Sequence, residues 1–175
     1  MRTIASFSIS AILFILVYAC NAPRSELSEA ELAKGKKHYA AYCQSCHMAN
    51  GEGQLKNFPP LYQTGWVTGS KERLINVVLK GLQEKIRVHG VIYDGVMPAQ
   101  ANLSDEELSQ ILSYIRTSFG NEASHILPNE VKKVRAGESL NEPLTGFADV
   151  APVTDFDARK KAAGKSIKSK PGSHF

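Results

Sequence analysis

Little in this chain can serve as covalent scaffolding. Its 175 residues hold three cysteines, Cys20, Cys43 and Cys46, and a single tryptophan. Three cysteines cannot build the bridge network that staples small secreted domains. Neither a second cysteine pair nor a His-x-x-x-His follows Cys43 and Cys46, so a four-ligand zinc site cannot be completed. No acidic residue precedes Glu26, and the apolar run from Ile4 to Ala19 is shorter than a bilayer span. That run is therefore no ordinary transmembrane helix.

Excess charge is lacking where a folded body would lie. The formal net charge is +4, yet Cys20 to Gly120 carries 11 Lys and Arg against 10 Asp and Glu. The excess sits in Arg159 to Lys170, which has six basic residues and no acid. Interspersed with Gly, Ala, Ser and Pro, such a run reads as a solvated, disordered end, or else as a contact for anionic lipid or an acidic partner. Nucleic acid is not an expected partner, because the chain carries an export signal.

That signal is the basic lead Met1-Arg2-Thr3 followed by the apolar run. Its end, Val17-Tyr18-Ala19-Cys20, is similar to a bacterial lipobox, with a small residue before the cysteine; Tyr18 departs from the usual small or hydroxyl residue. The expectation is a lipoprotein-type signal over 1–19 with lipid on Cys20. Ordinary cleavage near Ala19, leaving a free Cys20 thiol, is the alternative. Either way the chain is exported, and about 156 residues remain, enough for one domain.

The chemistry is concentrated in Cys43-Gln44-Ser45-Cys46-His47, a C-x-x-C-H sequence. A thioredoxin-like pair needs a strand before its C-x-x-C and a helix starting at it; here the motif ends a helix-patterned stretch. A disulfide across two residues would be strained and would leave His47 unexplained. Covalent haem explains all three residues. One helical turn separates the thiols, so both reach the vinyl groups of one porphyrin, and the next residue, His47, serves as the proximal iron ligand.

Three helices are expected. Ser28 and Glu31 form a capping box before Leu32, Gly35, Tyr39, Tyr42 and Cys46, spaced three and four apart. Gly35 costs helix stability in that face, which points to a close helix crossing. Ser70 caps a helix with Leu74, Val77, Val78 and Leu82 on one side. Ser104 opens a third, with the stripe Leu108, Ile111, Leu112, Ile115 and Phe119, stopped at Gly120-Asn121. No hairpin is read; 86–93 has β-branched character around Gly90 but passes for a loop. The fold class is small and all-α, with long irregular stretches that a flat cofactor would need as walls.

For the sixth iron ligand, Met48 is too close to His47 to reach round the ring. Met97, in Asp94-Gly95-Val96-Met97-Pro98-Ala99, is favoured, because Pro98 restricts the backbone on both sides of that bond. His89 is the rival at the same loop end, with His38, His125 and His174 further candidates.

Taken together, the residues resemble a class I bacterial monohaem cytochrome c. The match rests on Gly35, Tyr39, Cys43 to His47, Gly51 and Gly53. It continues through Phe58-Pro59-Pro60-Leu61, Gly81-Leu82, Tyr93-Asp94-Gly95-Val96-Met97-Pro98, Leu103-Ser104-Asp105-Glu106-Glu107 and Tyr114-Ile115-Arg116. It spans about 28–121 and implies the cytochrome c fold, with first and last helices crossing at Gly35. It also implies that the carbonyl of Pro59, or failing that Pro60, accepts the His47 Nδ1 proton. Leu61 would pack on the ring. Trp66 would donate to a propionate or stand as plain wall, and Tyr93 joins the cofactor contacts. Two departures, Gln83-Glu84-Lys85 after Gly81-Leu82 and His89 before Gly90, fall in the distal loop. Beyond Asn121 the expectation is an extension over 122–175, with a short helix near 129–136.

With His47 and Met97 both bound, no coordination site is open to substrate, which implies outer-sphere electron transfer rather than enzymatic turnover. The expected role is a carrier of single electrons between membrane-associated redox proteins. Its donor would be a dehydrogenase or quinol-oxidising complex and its acceptor a terminal oxidase or reductase. The tether 20–27, at most ~28 Å long when extended, would hold a monomer beside the membrane, facing the periplasm or cell exterior. The alternatives are a haem subunit docked into a periplasmic oxidoreductase through residues 137–175, or a haem-based sensor, which needs a displaceable sixth ligand.

Overall fold

In the computed structural model, residues 26–142 are described. The signal segment, Cys20, most of the tether and the basic tail all lie outside them. Among the described residues no helix is long and apolar enough to cross a membrane.

Helix α1 (Glu29–Tyr42) begins at the expected capping box. Ser28 Oγ accepts from the Glu31 N–H at 3.3 Å, and Ser28 N–H donates back to the Glu31 carboxylate at 2.9 Å. Two orphan donors of the first turn are thereby satisfied. The helix buries a narrower stripe than its spacing suggests: Gly35 and Tyr39 are buried, whereas Tyr42 is 46% exposed. The cause is the crossing itself. A Cβ on Gly35 would lie 2.1 Å from the Gln110 carbonyl oxygen of α5 (Asp105–Thr117), so the two backbones come closest there, where only glycine fits.

Helix α5 carries the second capping box, Ser104 with Glu107, and its Leu108, Ile111, Leu112 and Ile115 are buried as the stripe predicts. Helix α4 (Lys71–Lys80), capped by Ser70, buries two faces rather than one. Leu74, Ile75, Val78 and Leu79 join the core, and Leu74, Val77 and Val78 also line a cavity. Leu82 falls past its end, because Gly81 turns the chain at φ +75°.

The segment read as a loop is a hairpin. Strands β1 (Ile86–Val88) and β2 (Val91–Tyr93) pair antiparallel, Ile86 opposite Tyr93 and Val88 opposite Val91. Its two-residue turn, His89-Gly90, has φ of +49° and +78°, as a type I′ turn requires. Histidine stands where Asn or Asp usually announces such a turn, which hid it in the sequence. The fold is therefore mostly helical with one small sheet.

The core does not stop at Asn121. Helix α6 (Pro128–Arg135) packs on α5 and α4, and Ile126, Val131 and Val134 are buried in the same cluster as Leu108, Ile111 and Leu112. The hydroxyls of Ser109 and Ser113, which look like the polar face of α5, are buried and donate to the Ile126 carbonyl at 2.7 and 3.0 Å. Residues 122–142 thus pack against the folded body, and the short helix expected near 129–136 lies at Pro128–Arg135.

Candidate haem site

Below Tyr42 the α1 ladder breaks at Cys43, and a single turn, α2 (Gln44–His47), carries the rest of the motif. Cys46 N–H and His47 N–H both donate to the Cys43 carbonyl, at 3.2 and 2.9 Å, so the two thiols stand one turn apart. Met48 then reverses the chain at φ +64°, and its carbonyl is held by the buried Tyr39 hydroxyl at 2.6 Å. Tyr39 itself sits between Tyr114 and Phe119, ring centres 5.7 and 5.4 Å away, which couples the motif to the helix crossing. Burial keeps the Tyr39 phenol well above its ordinary pKa, so it remains a donor.

The loop after the motif folds back on it. Gly53 N–H donates to the His47 carbonyl (3.0 Å) and Leu61 N–H to the Gly51 carbonyl (2.7 Å). A side chain on Gly53 would meet the Phe58 carbonyl at 2.4 Å, so the return passes only because that position is glycine. It brings the Pro59 carbonyl oxygen 3.0 Å from His47 Nδ1. A carbonyl can only accept, so Nδ1 carries the proton and Nε2 keeps its lone pair. Burial lowers the His47 pKa, with the Pro59 carbonyl opposing, which favours the neutral, ligating imidazole.

Met97 arrives from the other half of the chain. Its N–H and carbonyl pair with the carbonyl and N–H of Leu82, both at 2.9 Å, and Gln100 N–H donates to the Val78 carbonyl at 2.8 Å. A Cβ on Gly81 would lie 2.5 Å from the Met97 carbonyl oxygen, so this glycine permits the close pass.

Cys43, Cys46, His47, Pro59, Pro60, Leu61, Trp66, Tyr93 and Met97 all line one cleft. Its walls are otherwise mainly aliphatic side chains from α4, α5 and the hairpin. Asn57, Glu84 and Val96 line it while remaining exposed, and they mark where it opens to solvent. Two thiols, an imidazole with a free Nε2 and a thioether around an apolar slot fit a covalently held haem.

Three placements refine the sequence reading. The Trp66 indole N–H donates to the Arg87 carbonyl at 3.1 Å, tying α3 (Gly65–Thr68) to the hairpin, while the ring serves as cleft wall. Tyr93 is 5% exposed in a small cluster with Ile86 and Val88, and burial raises its pKa. His89 is exposed at the hairpin tip, stacked on Tyr62 at 5.0 Å, and does not line the cleft. Of the other histidines, His38 stacks on Tyr42 along α1, and His125 Nδ1 accepts from Leu27 N–H at 2.7 Å. His174 lies outside the described residues.

Sequence reasoning missed Asn121, Arg116 and Arg135. Asn121 accepts from Gln63 N–H (2.6 Å) and donates to the carbonyls of Leu61 (2.9 Å) and Ile115 (2.8 Å), so it fastens the proline loop to α5. Arg116, 3% exposed, donates to the carbonyls of Val67, Gly69 and Ser124. Asn121 looked like a plain helix stop, and its bonds reach too far along the chain to show in a local pattern.

The cytochrome c family pattern matches residues 32–119. Cytochrome c-552 of Thermus thermophilus is 42% identical over 115 residues, covering 59% of this chain and 86% of that protein. A second cytochrome c-552, from a named strain of the same species, shows the same identity with 76% of its length covered. The fructose dehydrogenase cytochrome subunit of Gluconobacter japonicus is 29% identical over 121 residues, which cover 67% of this chain but 25% of that subunit. A capped helix pair crossing at a glycine, a C-x-x-C-H turn feeding an apolar cleft, and these likenesses have one common explanation. The chain belongs to the cytochrome c family, a class I monohaem c-type cytochrome that binds haem c covalently and serves as an electron carrier.

Proposed function

We propose that Cys43 and Cys46 form the thioethers, that His47 and Met97 are the axial ligands, and that the protein passes single electrons between membrane-associated redox proteins. The observation that carries this reading is one cleft lined by His47, with Nδ1 committed to Pro59, and by Met97, with its backbone locked to Leu82. When bound, haem c supplies an iron that alternates between Fe(II) and Fe(III). The chain's own contribution is positional. Pro59 holds the imidazole tautomer, the Leu82 pairing holds the thioether, and the aliphatic walls exclude water. The rim at Asn57, Glu84 and Val96, the last 62% exposed, is the proposed place of exchange with partners.

Met97→Ala tests the ligand set. The expected variant loses the far-red sulfur-to-iron charge-transfer band of the ferric protein and binds CO when ferrous. Its reduction potential falls by some fraction of the ~0.8 V range that axial ligands span. A variant that keeps the far-red band would refute Met97 as ligand.

For location, the proposal is export and a lipid anchor on Cys20. Leu27 is 7% exposed and its N–H is bonded to His125, so the folded body begins there. A leash from Cys20 to Leu27 reaches at most ~25 Å. This keeps the haem near membrane-bound partners and raises their effective concentration. Cys20→Ser is expected to move the protein from the membrane to the soluble fraction; unchanged partition would count against the anchor. A second reading, a haem subunit of a dehydrogenase, draws on the likeness to the Gluconobacter subunit. Co-purification of the chain with a dehydrogenase would favour it.

A further inference from the structure

The chain beyond Asn121 grips both flanks of the segment that carries Met97. On the downstream flank, Arg135 at the end of α6 donates Nη1 to the Ala101 carbonyl (2.8 Å) and Nη2 to the Leu103 carbonyl (2.7 Å). Its Nε pairs with Asp105 at 2.8 Å. The planar guanidinium thus holds two carbonyls of the stretch linking Met97 to α5, and a lysine could not reproduce that fork.

On the upstream flank the grip is applied to the N-terminus of α4. The Glu142 carboxylate accepts from Lys71 N–H at 2.7 Å, and Lys71 Nζ pairs with Glu130 at 2.8 Å. The Glu72 carboxylate accepts from Leu140 N–H at 2.9 Å and Ser139 Oγ at 2.8 Å. The other end of α4 runs through Gly81 into the Leu82–Met97 pairing, and Val78 holds Gln100. Ten helical residues make a stiff rod about 15 Å long. A shift where Glu142 and Glu72 bind is therefore carried to the backbone of Met97 rather than absorbed.

We propose that residues 122–142 are a positioning clamp for the methionine loop, with Arg135 and Glu142 as its two jaws, and that the clamp sets how readily another ligand displaces Met97. The inference rests on Met97 being the sixth ligand. It assigns to the extension a control over ligand exchange at the haem, which adherence to the core alone does not imply.

Imidazole titration of the full-length ferric holoprotein tests it. Loosening either jaw, by Arg135→Gln or Glu142→Ala, is expected to tighten apparent imidazole binding roughly threefold to tenfold. Arg135→Lys should fall between Arg135→Gln and wild type, because it keeps the charge and one of the two carbonyl bonds. Met97→Ala, in which nothing competes, sets the upper limit. If Met97→Ala leaves imidazole affinity and the far-red band as in wild type, the ligand reading itself fails. If Met97→Ala responds as expected while the jaw variants lower only the denaturation midpoint, with imidazole affinity unchanged, the clamp is overturned and the ligand reading stands. Should one jaw variant not accumulate, the other decides alone.

Discussion

Replacing Cys43 and Cys46 together by serine is expected to abolish covalent haem and, with it, most of the folded protein. The chain should carry no haem through denaturing electrophoresis, and its helical circular dichroism should fall toward that of an unfolded chain. The reason lies in how the molecule is built. The cleft is walled by Leu74, Val77 and Val78 of α4, Ile111 of α5 and Ile86 of the hairpin, the cleft-facing side of the hydrophobic core. An apolar slot lined by these side chains cannot collapse while the helix crossing at Gly35 stays rigid, so without haem the folded state loses both burial and dispersion contacts. Those losses compare with the whole stability margin of a domain, roughly 5–15 kcal/mol. Each single serine variant leaves one thioether and is expected to retain haem with altered absorption maxima. Haem surviving denaturation on the double variant would refute the attachment sites.

Gly35→Ala is expected to destabilise the protein by about 2–3 kcal/mol, which a guanidinium unfolding curve would read as a lower midpoint. Two effects of opposite sign compete here. Alanine is favoured over glycine inside a helix by about 1 kcal/mol, so propensity alone predicts stabilisation. Against it, the added Cβ would lie 2.1 Å from the Gln110 carbonyl oxygen and 2.7 Å from its carbon. Those are backbone atoms of a helix whose Leu108, Ile111 and Leu112 are at most 1% exposed. They cannot step aside without moving the cluster, and overpacking outweighs propensity. Because Tyr39 leans on the same crossing and holds the Met48 carbonyl, the haem absorption should also respond in this variant. A variant stabilised by the propensity difference would show that the helices can separate at no cost.

How far the site could be read in advance depended on how locally each residue's role is decided. Cys43, Cys46 and His47 are neighbours on one turn, so their relation is set by helix geometry alone. Both capping boxes, the α5 stripe and the helix-stability cost of Gly35 are likewise properties of stretches a few residues long. The His89-Gly90 turn is equally local, but its residue pair is an uncommon spelling of a common turn, and 86–93 read as a loop for that reason.

What the residues determined by themselves was the attachment motif, two thiols and an imidazole on one turn in a mostly helical frame, carried by types and spacings that persist in any compact arrangement. Tertiary structure alone decided the rest. It settled between Pro59, the first candidate, and Pro60 as the carbonyl for His47, turned Trp66 toward Arg87, sent His89 to the surface and folded 122–142 onto α4 and α5. The physical reason is reach. Asn121 to Leu61, Arg116 to Val67 and Arg135 to Ala101 are hydrogen bonds between segments distant along the chain. Buried carbonyls must find donors somewhere, and which donor serves which carbonyl is settled only when the helices have packed.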